Sequence, residues 1–147
     1  MEDAKLAVAS GADVVGQALA WAQARLAQGP VLVYATAEPA AVQAVQAQLG
    51  VARAGALVEQ ALSQVALGLV QLGVQQLVVA GGETSGAVVQ ALGVQTMAIG
   101  PQIDPGVPWT AVHSAQRPGQ TLHLALKSGN FGSTDFFSKA FGLLPTA

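Results

Sequence analysis

The chain has 147 residues, a net charge of −2, no cysteine and 10% charged residues. Without a basic stripe, sequence-independent binding to nucleic-acid phosphates is excluded. Without cysteine, disulfides and thiol chemistry are excluded and a zinc site is disfavoured. Soluble domains usually carry about 25% charged residues, so this composition indicates either a compact domain rich in alanine and valine or a face that something else covers.

No membrane segment explains the mean hydropathy of +0.48. The most apolar stretch, Val65 to Ala80, is interrupted by three glutamines and falls short of the ~18–20 unbroken apolar residues of a membrane span. The first residues, MEDAKLAVASGAD, are acidic where a signal peptide is basic. We therefore expect a cytoplasmic protein with no membrane partner, and an apolar patch that binds a second copy of the chain or a partner domain.

The first part of the chain alternates helix and strand. Asp13 can cap a helix that continues to about Gln28. The short apolar run from Val31 to Thr36 is typical of a buried parallel strand. A second helix is predicted from Pro39, which suits a first helical turn, to Gly50.

The same alternation continues through the middle of the chain. A third helix is predicted from about Ala56 to Leu72, with Gly73 as its cap. The apolar run from Gln76 to Ala80 predicts a strand that leads through GGETSG into a helix ending near Leu92. A further strand is predicted from about Thr96 to Ile99.

The last third of the sequence has a different character. Three prolines and two glycines between Gly100 and Trp109 predict a structured loop. Two strands, Thr110 to His113 and Thr121 to Leu126, are predicted to form a hairpin around the turn RPGQ. The sequence KSGNFG then leads into a helix that Ser133 or Thr134 can cap.

Together these elements predict one α/β domain covering residues 1–147. We expect a three-layer α/β/α arrangement, in which a mostly parallel sheet has helices on both faces and a C-terminal hairpin at its end.

The motif Gly81-Gly82-Glu83-Thr84-Ser85-Gly86 lies directly after a buried strand and directly before a helix. Ligands of open α/β sheets bind at the carboxyl ends of strands, where a helix N-terminus offers free N–H groups and partial positive charge. Paired glycines allow close backbone approach to an anion. The motif is neither a Walker A loop nor GxGxxG, and a plain strand-to-helix turn stays open as the alternative to an anion site.

Glu83 does not fit a simple phosphate loop, because a carboxylate repels phosphates. A water-mediated Mg²⁺ contact or a hydrogen bond to a ribose hydroxyl would both explain it. A solvated charge at the start of the helix is the alternative.

A second motif, Lys127-Ser128-Gly129-Asn130-Phe131-Gly132, again joins a strand to a helix. Its lysine can serve as a mobile cation on a phosphate. A helix-entry loop with a solvent-exposed lysine is the alternative. Two such loops after two strands favour an anion site more strongly than one.

Five other side chains carry weaker signals. Asp104 could be a base or a metal ligand, although Asp before Pro-Gly is usually part of a turn. His113 and His123 should lie about opposite each other in the predicted hairpin, without the carboxylate or cysteine that would favour a metal pair. Trp109 and Phe131 could stack on an adenine, but core or interface packing is the more ordinary role. No catalytic residue and no metal ligand is assigned.

Three segments resemble a known family: LVVAGGETSGAVVQALGV, IGPQIDPGVPW and LALKSGNFGSTDFF, in this order, with VLVYATAEP before them. They are similar to the C-terminal half of the four-carbon acid sugar kinases, also known as the type III effector Hrp-dependent outer protein family. The resemblance covers about Asp13 to the end of the chain, and the three segments in order are specific to the family.

The resemblance implies an ATP-dependent kinase of carbohydrate metabolism that phosphorylates the C4 hydroxyl of threonate, erythronate or a 3-oxo-tetronate. In such kinases an N-terminal domain holds the sugar acid and the C-terminal domain holds ATP. By this resemblance Gly81 to Ser85, and Gly129 with its neighbours, contact the phosphates of ATP, with Mg²⁺ as the bridging cation.

The sequence also departs from the family. It shows no counterpart of the N-terminal domain or of the first strand and Gly-Ser loop of the nucleotide domain, so the chain alone is expected to be an incomplete enzyme. The partners implied are a nucleotide and, through the N-terminal domain, a four-carbon sugar acid. The alternative function is an inactive, stand-alone module that binds a ligand or another protein.

Overall fold

A computed structural model describes residues 1–5, 13–35, 39–129 and 131–144. The chain divides into two compact units, Met1–Gly68 and Leu69–Ala147; a single domain stays a prediction. The strands are β1 Glu2–Lys5, β2 Val31–Tyr34, β3 Gln76–Ala80, β4 Met97–Asp104, β5 Val107–His113 and β6 Thr121–Lys127. The helices are α1 Val14–Gln23, α2 Pro39–Leu49, α3 Val51–Gln71, α4 Gly82–Ala91 and α5 Phe136–Ala140, followed by a 3₁₀ turn, Phe141–Leu143.

In the first unit, β1 and β2 form a parallel pair. Strand β1 was not predicted, because EDAK is short and polar and carries no strand pattern. The predicted cap of α1 is confirmed: the Asp13 carboxylate accepts a hydrogen bond of 2.9 Å from the Gly16 N–H. The helix ends at Gln23 rather than near Gln28, since the chain tightens into turns such as the bond from the Arg25 N–H to the Ala22 carbonyl.

Helix α3 begins five residues earlier than predicted, at Val51, directly after Gly50 with its positive φ of 83°. The predicted cap at its other end is confirmed. Gly73 has a φ of 107°, and the N–H of Val74 reaches back to the carbonyl of Leu69. This is the bond that closes a helix C-terminus in a Schellman motif.

The second unit contains a four-stranded mixed sheet in the order β3-β6-β5-β4. Strands β3 and β6 are parallel, whereas β5 is antiparallel to both of its neighbours. The α/β class is therefore confirmed, but the expectation of a mostly parallel sheet is wrong for this unit. The predicted hairpin of β5 and β6 is confirmed.

The cause of the difference is the segment from Gly100 to Trp109, which was predicted as a loop and instead forms most of the β4–β5 hairpin. The chain reverses at Pro105-Gly106, where Gly106 has a φ of 81°, as a turn with Pro followed by Gly favours. Register irregularities between Ile99 and Asp104 accommodate the prolines, which is where prolines are tolerated in sheets.

The core of the second unit lies where the sheet meets α5. Trp109 is fully buried there, and its indole N–H donates a 2.8 Å hydrogen bond to the carbonyl of Ala140. The cluster contains Ile103, Val107, Trp109, Ala125, Phe136, Ala140 and Leu144. Within the described ranges, no helix has the length and apolar character needed to cross a membrane.

Candidate functional site

The two glycine-rich loops leave the same edge of the sheet side by side. Their strands, β3 and β6, are parallel neighbours whose last paired residues are Ala80 and Lys127. One residue further on, the Gly81 N–H donates a 2.8 Å hydrogen bond to the Lys127 carbonyl. Since neighbouring strands lie about 4.7–4.9 Å apart, the two loops begin within reach of a single small ligand.

The first loop is a glycine turn into α4. Gly81 is the N-cap, with φ 114° and ψ 132°, and no side chain of the described residues caps the helix. The Ser85 N–H makes the first intrahelical bond, to the Gly81 carbonyl, so the N–H groups of the preceding residues have no intrahelical acceptor. Together with the helix dipole, they form a position that favours an anion.

The space in front of this turn is open. A Cβ on Gly82 would meet no described heavy atom within 4 Å outside its chain neighbours and its own helix backbone. The same holds for Gly129 in the second loop. Gly81 differs, because a Cβ there would lie 3.3 Å from the Thr84 hydroxyl oxygen. The two glycines of the pair therefore have different roles: Gly81 permits the turn and Gly82 leaves room beside it.

Three polar side chains accompany the first turn of α4. Glu83 is exposed and Thr84 half-buried. Ser85 is only 7% exposed, and its hydroxyl has no hydrogen-bond partner among the described residues. A buried polar group without a partner costs about 1–3 kcal/mol, so the Ser85 hydroxyl is available to a partner that the protein itself does not supply.

The second loop is shaped by Lys127 and its glycines. The Lys127 ammonium donates a 3.2 Å hydrogen bond to the Gly129 carbonyl, and Gly129 has a φ of 55°. The lysine stem crosses Gly132, where an added Cβ would lie 3.0 Å from the Lys127 Cε. Ser128 is exposed, and Asn130 lies outside the described residues.

The second loop does not lead directly into a helix N-terminus, contrary to the prediction. Helix α5 begins at Phe136 and has only five residues. Its N-cap position is Asp135 rather than Ser133 or Thr134, and the Asp135 side chain makes no capping hydrogen bond. Lys127 and the loop backbone, rather than a helix end, are therefore what this side offers to an anion.

Ser133 is not a cap because Asp104 binds it. The Asp104 carboxylate, at the end of β4, accepts hydrogen bonds from the Ser133 N–H at 2.9 Å and from the Ser133 hydroxyl at 3.0 Å. Lys139 of α5 donates to its other oxygen. The Lys139 hydrogen bond, followed by that from the Ser133 backbone, lowers the pKa of Asp104, which makes this carboxylate a poor general base.

The remaining candidates fall outside the site. His113 lies opposite Thr121 and His123 opposite Ala111, so the two histidines do not face each other as predicted. No group of three His, Cys, Asp or Glu side chains suited to a metal occurs in the described part of the chain. Trp109 is core, whereas Phe131 is 55% exposed and its ring lies 3.3 Å from where a Cβ on Gly106 would be.

Sequence reasoning missed Ser133 and Lys139 as members of the Asp104 cluster. They lie 29 and 35 residues from Asp104, and no local pattern relates positions so far apart. For Lys139 the sequence offers one local indication only: a lysine is favourable in the last turn of a helix, which places Lys139 near the end of α5 but does not relate it to Asp104.

Comparisons with known proteins show which family the chain belongs to. A family of nucleotide-binding C-terminal domains matches residues 2–137. The chain is 60% identical over 139 residues to a 3-oxo-tetronate kinase of Pseudomonas fluorescens Pf-5, covering 95% of this chain and 31% of that protein. It is 59% identical over 142 residues to a 3-oxo-tetronate kinase of Burkholderia multivorans, covering 97% of this chain and 32% of that protein.

The chain is also similar in fold to a solved structure. The crystal structure of a Haemophilus influenzae protein of family DUF1537 is 40% identical, with a TM-score of 0.84, over 97% of this chain and 34% of that one. The chain therefore spans about a third of the length of the relatives it matches. The family match begins at residue 2, earlier than the start near Asp13 that the sequence segments indicated.

Proposed function

The chain belongs to the family of nucleotide-binding C-terminal domains, and on that premise we propose that it is the ATP-binding domain of a kinase for four-carbon sugar acids. The acceptor would be the C4 hydroxyl of a 3-oxo-tetronate, because the relatives named above are 3-oxo-tetronate kinases. Threonate and erythronate are the other acceptors to be tested.

One observation carries the proposal: two glycine-rich loops are joined by the hydrogen bond from Gly81 to Lys127 at the carboxyl edge of two parallel strands. This edge combines unpaired helix N–H groups, open space at Gly82 and Gly129, and a lysine. Such a combination suits a polyphosphate better than a neutral ligand, since the N–H donors and the lysine attract phosphate, and Glu83 is the one group of opposite sign among those named here.

In the reaction, the C4 hydroxyl oxygen attacks the γ-phosphorus, and the bond from that phosphorus to the ADP oxygen breaks. Enzymes of phosphoryl transfer work mainly by positioning and charge stabilisation. Gly81, Gly82, Thr84 and Ser85 would hold the phosphates through backbone and hydroxyl donors, and Lys127 would offset their charge. No described residue is assigned as the base that takes the hydroxyl proton.

Magnesium fits this site through a single carboxylate. Mg²⁺ usually keeps several waters and uses one or two carboxylates plus substrate phosphates, and Glu83 is exposed in the first turn of α4. Glu83 would therefore contact the ion directly or through water. When bound, Mg²⁺ neutralises charge on the phosphates.

The decisive experiment is calorimetric titration of the chain with MgATP, with MgGTP for specificity. We expect saturable binding of MgATP that weakens without Mg²⁺. Phosphorylation of 3-oxo-tetronate, threonate and erythronate is then assayed with the chain alone and with the remaining two thirds of a relative added. We expect turnover only in the mixture, because positioning of the acceptor is worth up to about 7–11 kcal/mol.

The outcomes separate the proposal from its alternative. Binding of MgATP without turnover in any mixture would favour an inactive binding module. Absence of MgATP binding would overturn the proposed function.

A further inference from the structure

Asp104 lies at the tip of the β4–β5 hairpin, and its carboxylate binds Ser133, at the end of the second glycine-rich loop, and Lys139 of α5. Its carboxylate accepts the Ser133 N–H, the Ser133 hydroxyl and the Lys139 ammonium. The residue is buried, with 9% of its surface exposed. A turn residue would normally bind its own backbone two residues further on, so these long-range bonds need another explanation.

The hairpin tip also contacts the loop at a second point. Gly106, two residues after Asp104, lies beside the Phe131 ring, because a Cβ on Gly106 would lie 3.3 Å from two of the ring carbons. The described parts of the loop are therefore held at two places, at Lys127 by β-pairing and at Ser133 by Asp104, and the Phe131 ring between them lies beside Gly106.

These contacts restrict the backbone conformation of the second loop. Gly129 and Gly132 both have positive φ, and the described residues between Ser128 and Ser133 belong to no helix or strand. Such a segment would sample many conformations if it were held only by Lys127, because glycine backbones are permissive. The Asp104 bonds remove that freedom at the far end of the loop.

We propose that Asp104 is a positioning residue for nucleotide binding: it holds the Lys127–Ser133 loop in the conformation that receives the phosphates, without touching the nucleotide. The inference rests on the proposed function. Lys139 takes part by neutralising the buried carboxylate and by donating to the Ser133 hydroxyl at 2.8 Å. The Ser133 hydroxyl has one proton, which it donates to Asp104 or to Asp135 but not to both at once. The Ser133 N–H donates to Asp104.

The test variant is Asp104→Asn, which keeps size but places an amide N–H₂ against donors that need an acceptor. Asp135→Asn is the matched control, because Asp135 also contacts Ser133 and Lys139 but is exposed and accepts no bond from the Ser133 N–H. Lys139→Met is a second variant that removes a partly exposed charge from α5 without opening the core.

The measurements are calorimetric Kd values for MgATP and hydrogen exchange of the segment from Lys127 to Lys139 in the free chain, with thermal unfolding to confirm folding. If Asp104→Asn reduces the binding-competent loop to about a tenth, the Kd rises roughly tenfold, because apparent affinity scales with the competent fraction. We expect faster exchange around Ser133 in the same variant, a Kd increase of roughly threefold in Lys139→Met and near-wild-type values in Asp135→Asn.

An unchanged Kd in both Asp104→Asn and Lys139→Met, with the wild-type chain binding, would overturn the inference and leave the proposed function intact. A lower melting temperature without a change in Kd would do the same, because it indicates a purely structural role. If the wild-type chain does not bind MgATP, the proposed function fails together with the ligand part of the inference. Exchange then still decides whether Asp104 holds the loop, and unchanged exchange rates would overturn that as well.

Discussion

The two glycine-rich loops at the edge of β3 and β6 reach the same place by different physical means. The Gly81–Ser85 turn is built from its own backbone, since Gly81 supplies the positive φ and α4 follows at once. The Lys127–Ser133 loop does not run directly into a helix, and it is held by Lys127 and Asp104. A local turn depends on glycine geometry, whereas an irregular loop depends on distant side chains. Mutations in the two loops should therefore affect stability and MgATP binding in different ways.

The largest effect is expected at Gly81, where stability and binding should fall together. Gly81→Ala forces an L-residue into a conformation with φ 114°, which costs about 1–3 kcal/mol, and its Cβ would press on Thr84. Denaturant unfolding and MgATP calorimetry measure the two losses. Gly86→Ala is the control: it lies within α4 without close neighbours, so it should stabilise the helix by about 0.5–1 kcal/mol. Equal free energies of unfolding in the Gly81→Ala and Gly86→Ala variants would contradict the conclusion that the first loop depends on the backbone conformation of Gly81.

Gly82→Val should separate binding from stability in the first loop. The structure gives Gly82 no positive φ and free space for a side chain, so we expect stability within about 0.5 kcal/mol of wild type. A phosphate that bonds here would lose one or two charge-assisted hydrogen bonds of about 1.5–3 kcal/mol each, or tenfold or more in MgATP affinity. Unchanged affinity in this variant would mean that the anion does not approach Gly82.

Lys127→Met tests the charge of the second loop. Lys127 is half-buried, and a partly exposed cation contributes up to about 1 kcal/mol, or roughly fivefold in Kd. Screening makes this contribution depend on ionic strength. We therefore expect the difference in Kd between the variant and the wild type to be smaller in 500 mM salt than in 50 mM salt. A difference independent of salt would point to a structural role through the Gly129 carbonyl.

The smallest effect concerns pH and the tertiary contacts of the second loop. The pKa of Asp104 is lowered chiefly by the Lys139 hydrogen bond, and that of Asp135 chiefly by the Ser133 hydroxyl. A lowered pKa contributes stability above the ordinary Asp value of about 3.9, and this stability is lost as the pH falls through the folded-state pKa. The difference in melting temperature between wild type and Asp104→Asn should therefore be full at pH 6 and shrink below pH of about 4. A constant difference down to the acid limit of folding would contradict this assignment.

The sequence by itself determined the first loop almost completely. The apolar run Gln76 to Ala80 gave its strand with the bounds observed, and the glycine pair gave the turn into α4. The predicted β5–β6 hairpin was also confirmed. In each case the signal is local, because a strand run, a turn or a helix start is decided by residues within a few positions of one another.

Tertiary structure alone decided the rest. The segment from Gly100 to Trp109 resembles a loop in sequence because prolines and glycines usually break strands. The pairing of β4 with β5 and the burial of Trp109 nevertheless make it part of a hairpin. That hairpin makes the sheet mixed and brings Asp104 to Ser133 and Lys139 across 29 and 35 residues. Such contacts depend on how the strands are ordered in the sheet, and strand order is set by long-range packing that no short stretch of sequence encodes.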